Sequence, residues 1–414
     1  MAGAVRRWMI LAEIMHLPAV PRLLVLTQLA FNVGFYLVLP FLAGHLAEDL
    51  GLAAATVGLV LGLRTFSQQG LFLIGGVLAD RFGARPVVLT GCVVRVAGFV
   101  VLGLAGNLPQ VLAGAVLTGV AAALFSPAVE SALAREGGRL ETAGRVRRTD
   151  LFAMFSAAGE VGAVTGPLLG TLLLAAGFRS TCLAAAVVFV AIWFMHWRLL
   201  PAEPGAHAGE PVRDGLREVF ANRRFLALAA AASAGLLAYN QLYLALPLEL
   251  ARVGATWALG WLFAAASIMV IAGQSVARAV RDRLGPRWAP ATGYTLIAAA
   301  FAVVAAARPG TAAVWPSVAL VVLLTAGQMI TSPLVRDSAA RLAGERRLGA
   351  YFGVLSAAGG IAVLVGSAVT GRLFDTAAAT GPGTALPWLI LAVVPLLSAV
   401  ALSRMSVREP GLTR

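Results

Sequence analysis

The chain contains no lysine, few charged residues of either sign and only two cysteines. All 32 basic residues are Arg, charged residues make up 12% of the 414 positions, and hydrophobic residues make up 59%. Soluble domains average about 25% charged and about 45 to 50% apolar residues, so an ordinary soluble domain is excluded. The 45 Gly residues follow no strict three-residue repeat, which excludes a collagen-like chain. Long apolar runs with so few charges indicate a membrane protein.

Clusters of chemically reactive residues are also missing from the sequence. Cys92 and Cys182 both lie inside apolar runs, where cysteine packs as a small hydrophobic residue. The four His residues are scattered, and the sequence has no phosphate-binding loop, metal-ligand spacing or nucleophile triad. We therefore expect no enzyme, no metal site and no cofactor. The first 17 residues lack a small-residue cleavage site, so no removable signal peptide is predicted.

Twelve apolar stretches are long enough to cross a bilayer, whose core of about 30 Å needs about 20 residues per helix. They lie at 23–45, 54–79, 87–105, 110–132, 150–175, 180–198, 225–249, 256–277, 288–307, 314–335, 349–372 and 385–403. A segment rich in Pro and Gly follows the sixth stretch, and charged residues continue from it to position 224. We predict an N-terminal six-helix bundle at 1–198, a cytoplasmic linker at 199–224, a C-terminal six-helix bundle at 225–404 and a cytoplasmic tail at 405–414.

The Arg residues are concentrated in alternate loops. Twenty-six of the 32 lie at the two termini and in the even-numbered loops, four lie in the opposite loops, and Arg64 and Arg95 lie inside apolar stretches. Loops rich in positive charge face the cytoplasm. This distribution predicts that both termini are cytoplasmic, and it accounts for the net charge of +13 without a nucleic-acid partner.

The two halves of the sequence repeat each other. Four segments recur in the same order, at offsets between 200 and 207: Tyr-Leu-Val-Leu-Pro at 36–40 with Tyr-Leu-Ala-Leu-Pro at 243–247, Asp-Arg-Phe-Gly-Ala-Arg at 80–85 with Asp-Arg-Leu-Gly-Pro-Arg at 282–287, Ser-Pro at 126–127 with Ser-Pro at 332–333, and Ser-Ala-Ala-Gly at 156–159 with the same residues at 356–359. Matches at nearly one offset indicate an internal duplication of two six-helix units that run in the same direction.

The loop after the second stretch carries a distinctive sequence, Gly-Val-Leu-Ala-Asp-Arg-Phe-Gly-Ala-Arg at 76–85. It resembles the signature Gly-x-Leu-Ala-Asp-Arg-x-Gly-x-Arg of the major facilitator superfamily, and the resemblance extends over about 21–404. It implies an all-α membrane protein with the major facilitator fold, twelve transmembrane helices in two six-helix bundles, and a cytoplasmic latch that joins the halves. The latch set comprises Gly76, Asp80, Arg81, Gly83 and Arg85, with Glu130 as the expected acidic partner of Arg81 or Arg85 and with Asp282 and Arg283 as the second copy.

The fifth stretch carries a second motif, formed by Gly159, Gly162, Gly166, Pro167 and Gly170. Residues 162–170 resemble the antiporter motif Gly-x-x-x-Gly-Pro-x-x-Gly of twelve-helix drug:proton exporters, and the run at 64–70 resembles the MdtH-type multidrug-resistance branch. At about 100° per residue the four Gly share one helix face, which predicts close packing against another helix. Ala115 departs from the exporter pattern, because it stands where these proteins usually carry an Arg implicated in proton transfer.

Three charged residues inside apolar stretches are candidates for proton coupling: Glu160, Arg64 and Arg95. A charge at the bilayer centre costs about 2.5 to 3.5 kcal/mol on insertion scales, so each needs a partner or water. Glu160 lies roughly 115° from the centre of the Gly stripe. Three roles are open to it: it carries a proton, it binds a cationic substrate, or it pairs with an Arg. Arg64 lies one turn from Gln68, which predicts a polar patch on the pore side. Arg95 is predicted to form a structural bridge between helices.

The resemblance also implies that helices one, four, seven and ten line a substrate cavity. Gln28, Asn32 and Tyr36 share one helix face by their spacing. The other candidates on these helices are Phe31, Phe125, Tyr239, Asn240, Tyr243, Gln328 and Met329. Aromatic and Met-rich walls with few fixed charges suit bulky amphipathic molecules. Hydrogen bonding between helices is the alternative role for the polar members.

Together these features predict a multi-pass transporter of the plasma membrane that works by alternating access. We expect it to export lipophilic or cationic small molecules in exchange for protons, with the proton gradient as its energy source. Two alternatives are proton-coupled or facilitated uptake of a small polar metabolite, and a ligand-binding membrane receptor without flux. The expected partners are a small-molecule substrate, protons and the lipid bilayer, and a monomer is expected.

Overall fold

The structure, a computed structural model, describes residues 14–203, 212–307, 313–343, 348–377 and 382–405. Twelve helices in these ranges are long and apolar enough to cross a membrane. We number them α1 (Ala19–Asp49), α2 (Ala54–Ala79), α3 (Ala84–Leu104), α4 (Leu108–Thr142), α5 (Arg148–Leu174), α6 (Phe178–Leu199), α7 (Arg223–Arg252), α8 (Ala258–Gly285), α9 (Trp288–Ala307), α10 (Trp315–Leu342), α11 (Gly349–Thr376) and α12 (Gly383–Met405). The twelve-helix, all-α prediction is therefore confirmed, since every regular element in the described ranges is helical.

Several helices continue beyond the apolar stretches that the sequence marks. α4 ends at Thr142 instead of 132, α8 at Gly285 instead of 277, and α10 at Leu342 instead of 335. The added turns are rich in Arg, Ala and Leu, which favour helix whether or not lipid surrounds them. Hydropathy marks only the part of a helix that suits the bilayer, so it placed these ends too early.

Two helices related by the duplication are interrupted. α1 consists of Ala19–Tyr36, Leu39–Gly44 and a π-helical turn at His45–Asp49, and α7 consists of Arg223–Asn240 and Ala245–Arg252. Both interruptions fall just before the prolines of the repeated segment, Pro40 and Pro247. Proline has no N–H to donate to the preceding turn, and this loosens the helix there. The two halves thus share this helix interruption as well as the repeated sequence.

The repeated Asp-Arg-x-Gly sequence forms the same turn in both halves. Gly83, between α2 and α3, has φ +85°, and Gly285, the last residue of α8, has φ +68°. Glycine adopts positive φ without the penalty that a Cβ imposes. Asp282 and Arg283 are exposed at the second turn, while Gly76 lies half-buried one helical turn or more before the first.

The chain divides into two compact units, Met1–Leu39 with Ile74–Glu210, and Pro40–Leu73 with Pro211–Arg414. In the first unit α1 packs against α5, and α3 packs against α4 and α6. In the second unit α2 packs against α11, and the α8–α9 segment packs against α10 and α12. The predicted bundles, 1–198 and 225–404, follow the sequence duplication, whereas the contacts group residues 40–73 with the C-terminal helices. Of the linker, the structure describes 199–203 and a short helix at Val212–Ala221, and residues 406–414 lie outside the described ranges.

Candidate functional site

The glycine face of α5 packs directly on α1. A Cβ added to Gly162 would lie 2.4 Å from the carbonyl oxygen of Leu29, and one added to Gly166 would lie 2.7 Å from the Cβ of Tyr36. Real Cβ atoms do not approach other heavy atoms below 3.0 Å, so neither position accepts a side chain without movement. Pro167 and Gly170 are also buried. The close packing that the glycine spacing predicts is therefore confirmed, and α1 is the partner helix.

The polar residues of α1 face the same contact. The Nδ2 of Asn32 donates a hydrogen bond of 2.7 Å to the carbonyl oxygen of Gly159. Gln28 lies one turn earlier on α1, and its Cγ would lie 3.1 Å from a Cβ added to Gly159. Both side chains are half-buried. These two cavity candidates thus contact α5, next to the position of Glu160.

Glu160 is half-buried in α5, inside the span Arg148–Leu174. In the part of the chain that the structure describes, its carboxylate makes neither a hydrogen bond nor an ion pair. Pairing with an Arg, one of the three roles that the sequence leaves open, is therefore not observed in this structure. A carboxylate in a membrane span must be neutralised or hydrated, and this one is available to a proton or a cationic ligand.

Arg95 is enclosed within the first unit and is 1% exposed. Its guanidinium donates a hydrogen bond to the carbonyl oxygen of Thr118 on α4. It also lies 4.9 Å from the ring centre of Phe31 and 5.1 Å from that of Phe189, and two further Phe rings lie within 6 Å. Such cation–π contacts stabilise a desolvated Arg by up to about 2 kcal/mol each. Arg95 thus joins α1, α3, α4 and α6, as expected of a structural bridge.

Two aromatic cavity candidates belong to the same cluster. The rings of Phe31 and Phe125 stack with 4.8 Å between their centres, and Phe125 also packs 6.2 Å from the ring of His196. Phe31 is 8% exposed and Phe125 is 2% exposed. In this conformation both rings are covered by neighbouring side chains instead of facing a cavity, because the cluster around Arg95 occupies that space.

A buried polar chain links three helices of the second unit. Asn240 on α7 accepts a hydrogen bond of 3.1 Å from Thr65 on α2, and it donates one of 3.2 Å to Ser367 on α11. Arg64, next to Thr65, is 5% exposed. Asn240 therefore forms hydrogen bonds between helices, which is the alternative role for polar cavity candidates.

The remaining cavity candidates lie on α7 and α10. The hydroxyl oxygens of Tyr239 and Tyr243 are 3.5 Å apart. The Nε2 of Gln328 donates a hydrogen bond to the carbonyl oxygen of Gly235 on α7. Met329 is 8% exposed. These residues form a group within the second unit, while the α1 candidates form a group within the first, and their convergence on one cavity stays a prediction.

One latch residue, Arg85 in the first turn of α3, contacts the end of α6. The Nη2 of Arg85 donates a hydrogen bond of 2.6 Å to the carbonyl oxygen of Trp197. Glu130 is exposed on α4. Its pairing with Arg81 or Arg85 stays a prediction. The side chain of Asp80 lies outside the described residues.

Two carboxylates that the sequence analysis did not single out make defined contacts. Glu249 on α7 is 3% exposed and accepts a hydrogen bond of 2.6 Å from Arg252, three residues later. Asp375 on α11 accepts hydrogen bonds of 2.8 Å from the backbone N–H groups of Ala54 and Ala55 on α2. The apolar residues around Glu249 in the sequence could have predicted its burial. Nothing in the sequence predicts the contacts of Asp375, because its partners lie more than 300 positions away.

Twelve membrane-length helices, a duplicated six-helix sequence and a carboxylate available within the span define a multi-pass membrane transporter. The chain belongs to the Major Facilitator Superfamily, whose family profile matches residues 24–367. It is similar to an uncharacterised MFS-type transporter of Mycobacterium tuberculosis, with 36% identity over 401 residues that cover 94% of each chain. It is also similar to the multidrug resistance protein MdtH of Citrobacter koseri, with 31% identity over 381 residues that cover 92% of each chain.

Solved structures with the same fold include the nucleoside transporter NupG, with a TM-score of 0.76 and 15% identity over 95% of this chain and 100% of that one. An auto-inhibited peptide transporter of the POT family matches with a TM-score of 0.76 and 16% identity, over 95% and 98% of the two chains. At such identities these matches show the fold alone. The protein is thus a multi-pass transporter of this superfamily and not an enzyme, so it is expected to sit in a lipid bilayer and to bind small-molecule substrates.

Proposed function

We propose that this transporter exports lipophilic or cationic small molecules across the plasma membrane in exchange for protons, with both termini in the cytoplasm. The observation that carries the proposal is the carboxylate of Glu160. It lies within the membrane span of α5, half-buried, and no hydrogen bond or ion pair joins it to any other described residue. An acidic group kept in a membrane without a protein partner is a candidate site for an ion or a substrate.

Competition for this carboxylate can couple the two flows. A carboxylate that holds a proton is neutral and attracts a cation weakly, whereas the ionised form attracts a cation strongly. Protonation from the outside therefore favours release of a cationic substrate, and deprotonation towards the cytoplasm favours the next binding event. This scheme requires Glu160 to face each side of the membrane in turn, as alternating access provides.

The surroundings of Glu160 support such a role. α5 is held to α1 by the contacts of Gly162 and Gly166, so the two helices move together. Gln28 and Asn32 contact Gly159, the residue before Glu160, so amide groups lie on the α1–α5 seam adjacent to Glu160 in the sequence. A single acid in a span whose other polar groups are uncharged amides suits substrates that carry one positive charge or none. The relative named as a multidrug resistance protein agrees with this substrate class.

Efflux of ethidium, a lipophilic cation, tests the proposal in cells that lack other exporters. We expect cells with the transporter to retain less dye than empty cells, and we expect collapse of the proton gradient to abolish the difference. Glu160→Gln keeps the shape of the side chain but cannot ionise, so it should retain dye like empty cells. Glu141→Gln is the matched control, because Glu141 is exposed beyond the apolar part of α4 and should export normally.

Four outcomes contradict the proposal. Efflux that persists without a proton gradient would show that export does not depend on proton exchange. Full efflux by Glu160→Gln would show that the carboxylate of Glu160 is not required. Accumulation of a small polar metabolite by the same cells would favour uptake, and saturable dye binding to the purified protein without any flux would favour a receptor.

A further inference from the structure

The N-terminus of α2 is capped by a residue of another helix. The carboxylate of Asp375, near the end of α11, accepts hydrogen bonds of 2.8 Å from the backbone N–H groups of both Ala54 and Ala55. Ala53, at the cap position itself, has no side chain that can accept these bonds. The first N–H groups of a helix lack partners within the helix and carry partial positive charge. Asp375 therefore supplies to α2 both the acceptors and the negative charge that its own sequence lacks.

Below this cap the backbones of α2 and α11 touch. A Cβ added to Gly371 would lie 2.1 Å from the carbonyl oxygen of Ala54, and one added to Gly58 would lie 2.1 Å from that of Ser367. A Cβ on Gly62 would lie 2.9 Å from the Cα of Leu364. Dispersion attraction falls steeply with distance, so a small separation of the two helices loses this contact. The seam is therefore either closed or open, with little between.

The deepest polar contacts of the seam can be exchanged for water. Asn240 on α7 joins Thr65 of α2 to Ser367 of α11 through hydrogen bonds of 3.1 and 3.2 Å. If α2 moves away and water enters, each of these groups finds a new partner at little enthalpic cost. Opening thus leaves none of these three side chains without a partner, and the remaining barrier lies in the backbone contact and the cap.

We propose that Asp375 is a clasp that holds α2 to α11 and sets the fraction of molecules closed at the membrane face opposite the Arg-rich loops. The inference rests on the alternating access of the proposed function. By the sequence duplication α2 belongs to the N-terminal half and α11 to the C-terminal half, so parting these two helices opens that face. The clasp acts through the position of α2, and Asp375 is a positioning residue that touches no substrate.

Accessibility of a buried position next to a seam residue tests the clasp. Thr370 precedes Gly371 on α11 and is 2% exposed, so Thr370→Cys should react slowly with a hydrophilic maleimide while the seam is closed. The reaction is followed by mass on the purified transporter in nanodiscs, where both membrane faces are open to the reagent. Adding Asp375→Ala should raise the labelling rate about five-fold, the population change expected when one helix cap is lost. Asp375→Asn, which keeps one acceptor oxygen, should give an intermediate rate.

Asp337→Ala is the matched control, because Asp337 is exposed and pairs locally with Arg341 on α10. It should label like the parent. Equal labelling of the parent, Asp375→Asn and Asp375→Ala would overturn the clasp, as would an equal rise in Asp337→Ala. The Asn variant keeps the test valid if the Ala variant fails to fold, which size-exclusion chromatography detects.

The labelling rate needs neither a proton gradient nor a transported dye. Loss of ethidium export with a five-fold effect of Asp375→Ala would therefore refute the proposed export and leave the clasp standing. Normal export with no effect of Asp375→Ala on labelling would refute the clasp and leave the proposed export standing.

Discussion

Replacing Gly162 by Ala tests the packing of α5 on α1 with one added methyl group. The new Cβ would lie 2.4 Å from the carbonyl oxygen of Leu29 and 2.9 Å from the Cβ of Asn32. Ordinary contact begins at 3.4 Å, so the helices must part by roughly 1 Å. The clashing oxygen belongs to the backbone and cannot rotate away. Overpacking of this kind costs about 1 to 3 kcal/mol, and we expect that loss of stability here.

Thermal unfolding of the purified transporter in detergent, followed by intrinsic fluorescence, measures the loss. We expect the midpoint of Gly162→Ala to fall by roughly 2 to 12 °C, at about 2 to 4 °C per kcal/mol for a unit of about 150 to 250 residues. Gly138→Ala in α4 is the matched control, because a Cβ there meets no heavy atom within 4 Å. Ala favours helix over Gly by about 0.5 to 1 kcal/mol, so the control should be unchanged or more stable. Equal midpoints for the two variants would refute the assigned packing.

Two further predictions concern the same unit. Gly166→Leu should abolish ethidium efflux at matched expression, because Tyr36 already fills the space beside Gly166. Normal efflux by this variant would contradict the prediction that transport needs close packing at this face. Arg95→Gln should lower the unfolding free energy by about 2 kcal/mol or more through loss of the Phe contacts, whereas Arg145→Gln, at an exposed position, should not; equal urea midpoints would contradict the bridge.

The helices and their turns could be predicted because they depend on local sequence. A membrane helix satisfies its backbone hydrogen bonds within itself, so each apolar stretch predicts one helix without reference to the rest of the chain. Gly83 and Gly285 could be located from the repeated Asp-Arg-x-Gly sequence, since both take positive φ. The Gly face of α5 could be predicted for the same reason, because spacing along one helix fixes which residues share a face.

Contacts between helices could not be predicted in the same way, because they depend on the rotation of each helix and on its neighbours. Phe31 shares α1 with the polar cavity candidates, yet its ring covers Arg95 on α3. Asp375 is an ordinary acid near a helix end in the sequence, and only the fold brings it to the first turn of α2. Side-chain partners across helices are therefore the information that the structure adds.

Movement of protons by the purified protein tests the central claim most directly. The transporter is reconstituted into liposomes that contain a pH-sensitive dye, and ethidium is added on one side without any imposed proton gradient. The account predicts that ethidium entry drives protons out, so the lumen becomes alkaline with the wild type and with Glu141→Gln but not with Glu160→Gln. Ethidium entry with no change of luminal pH, or an equal change with Glu160→Gln, would contradict proton exchange at Glu160.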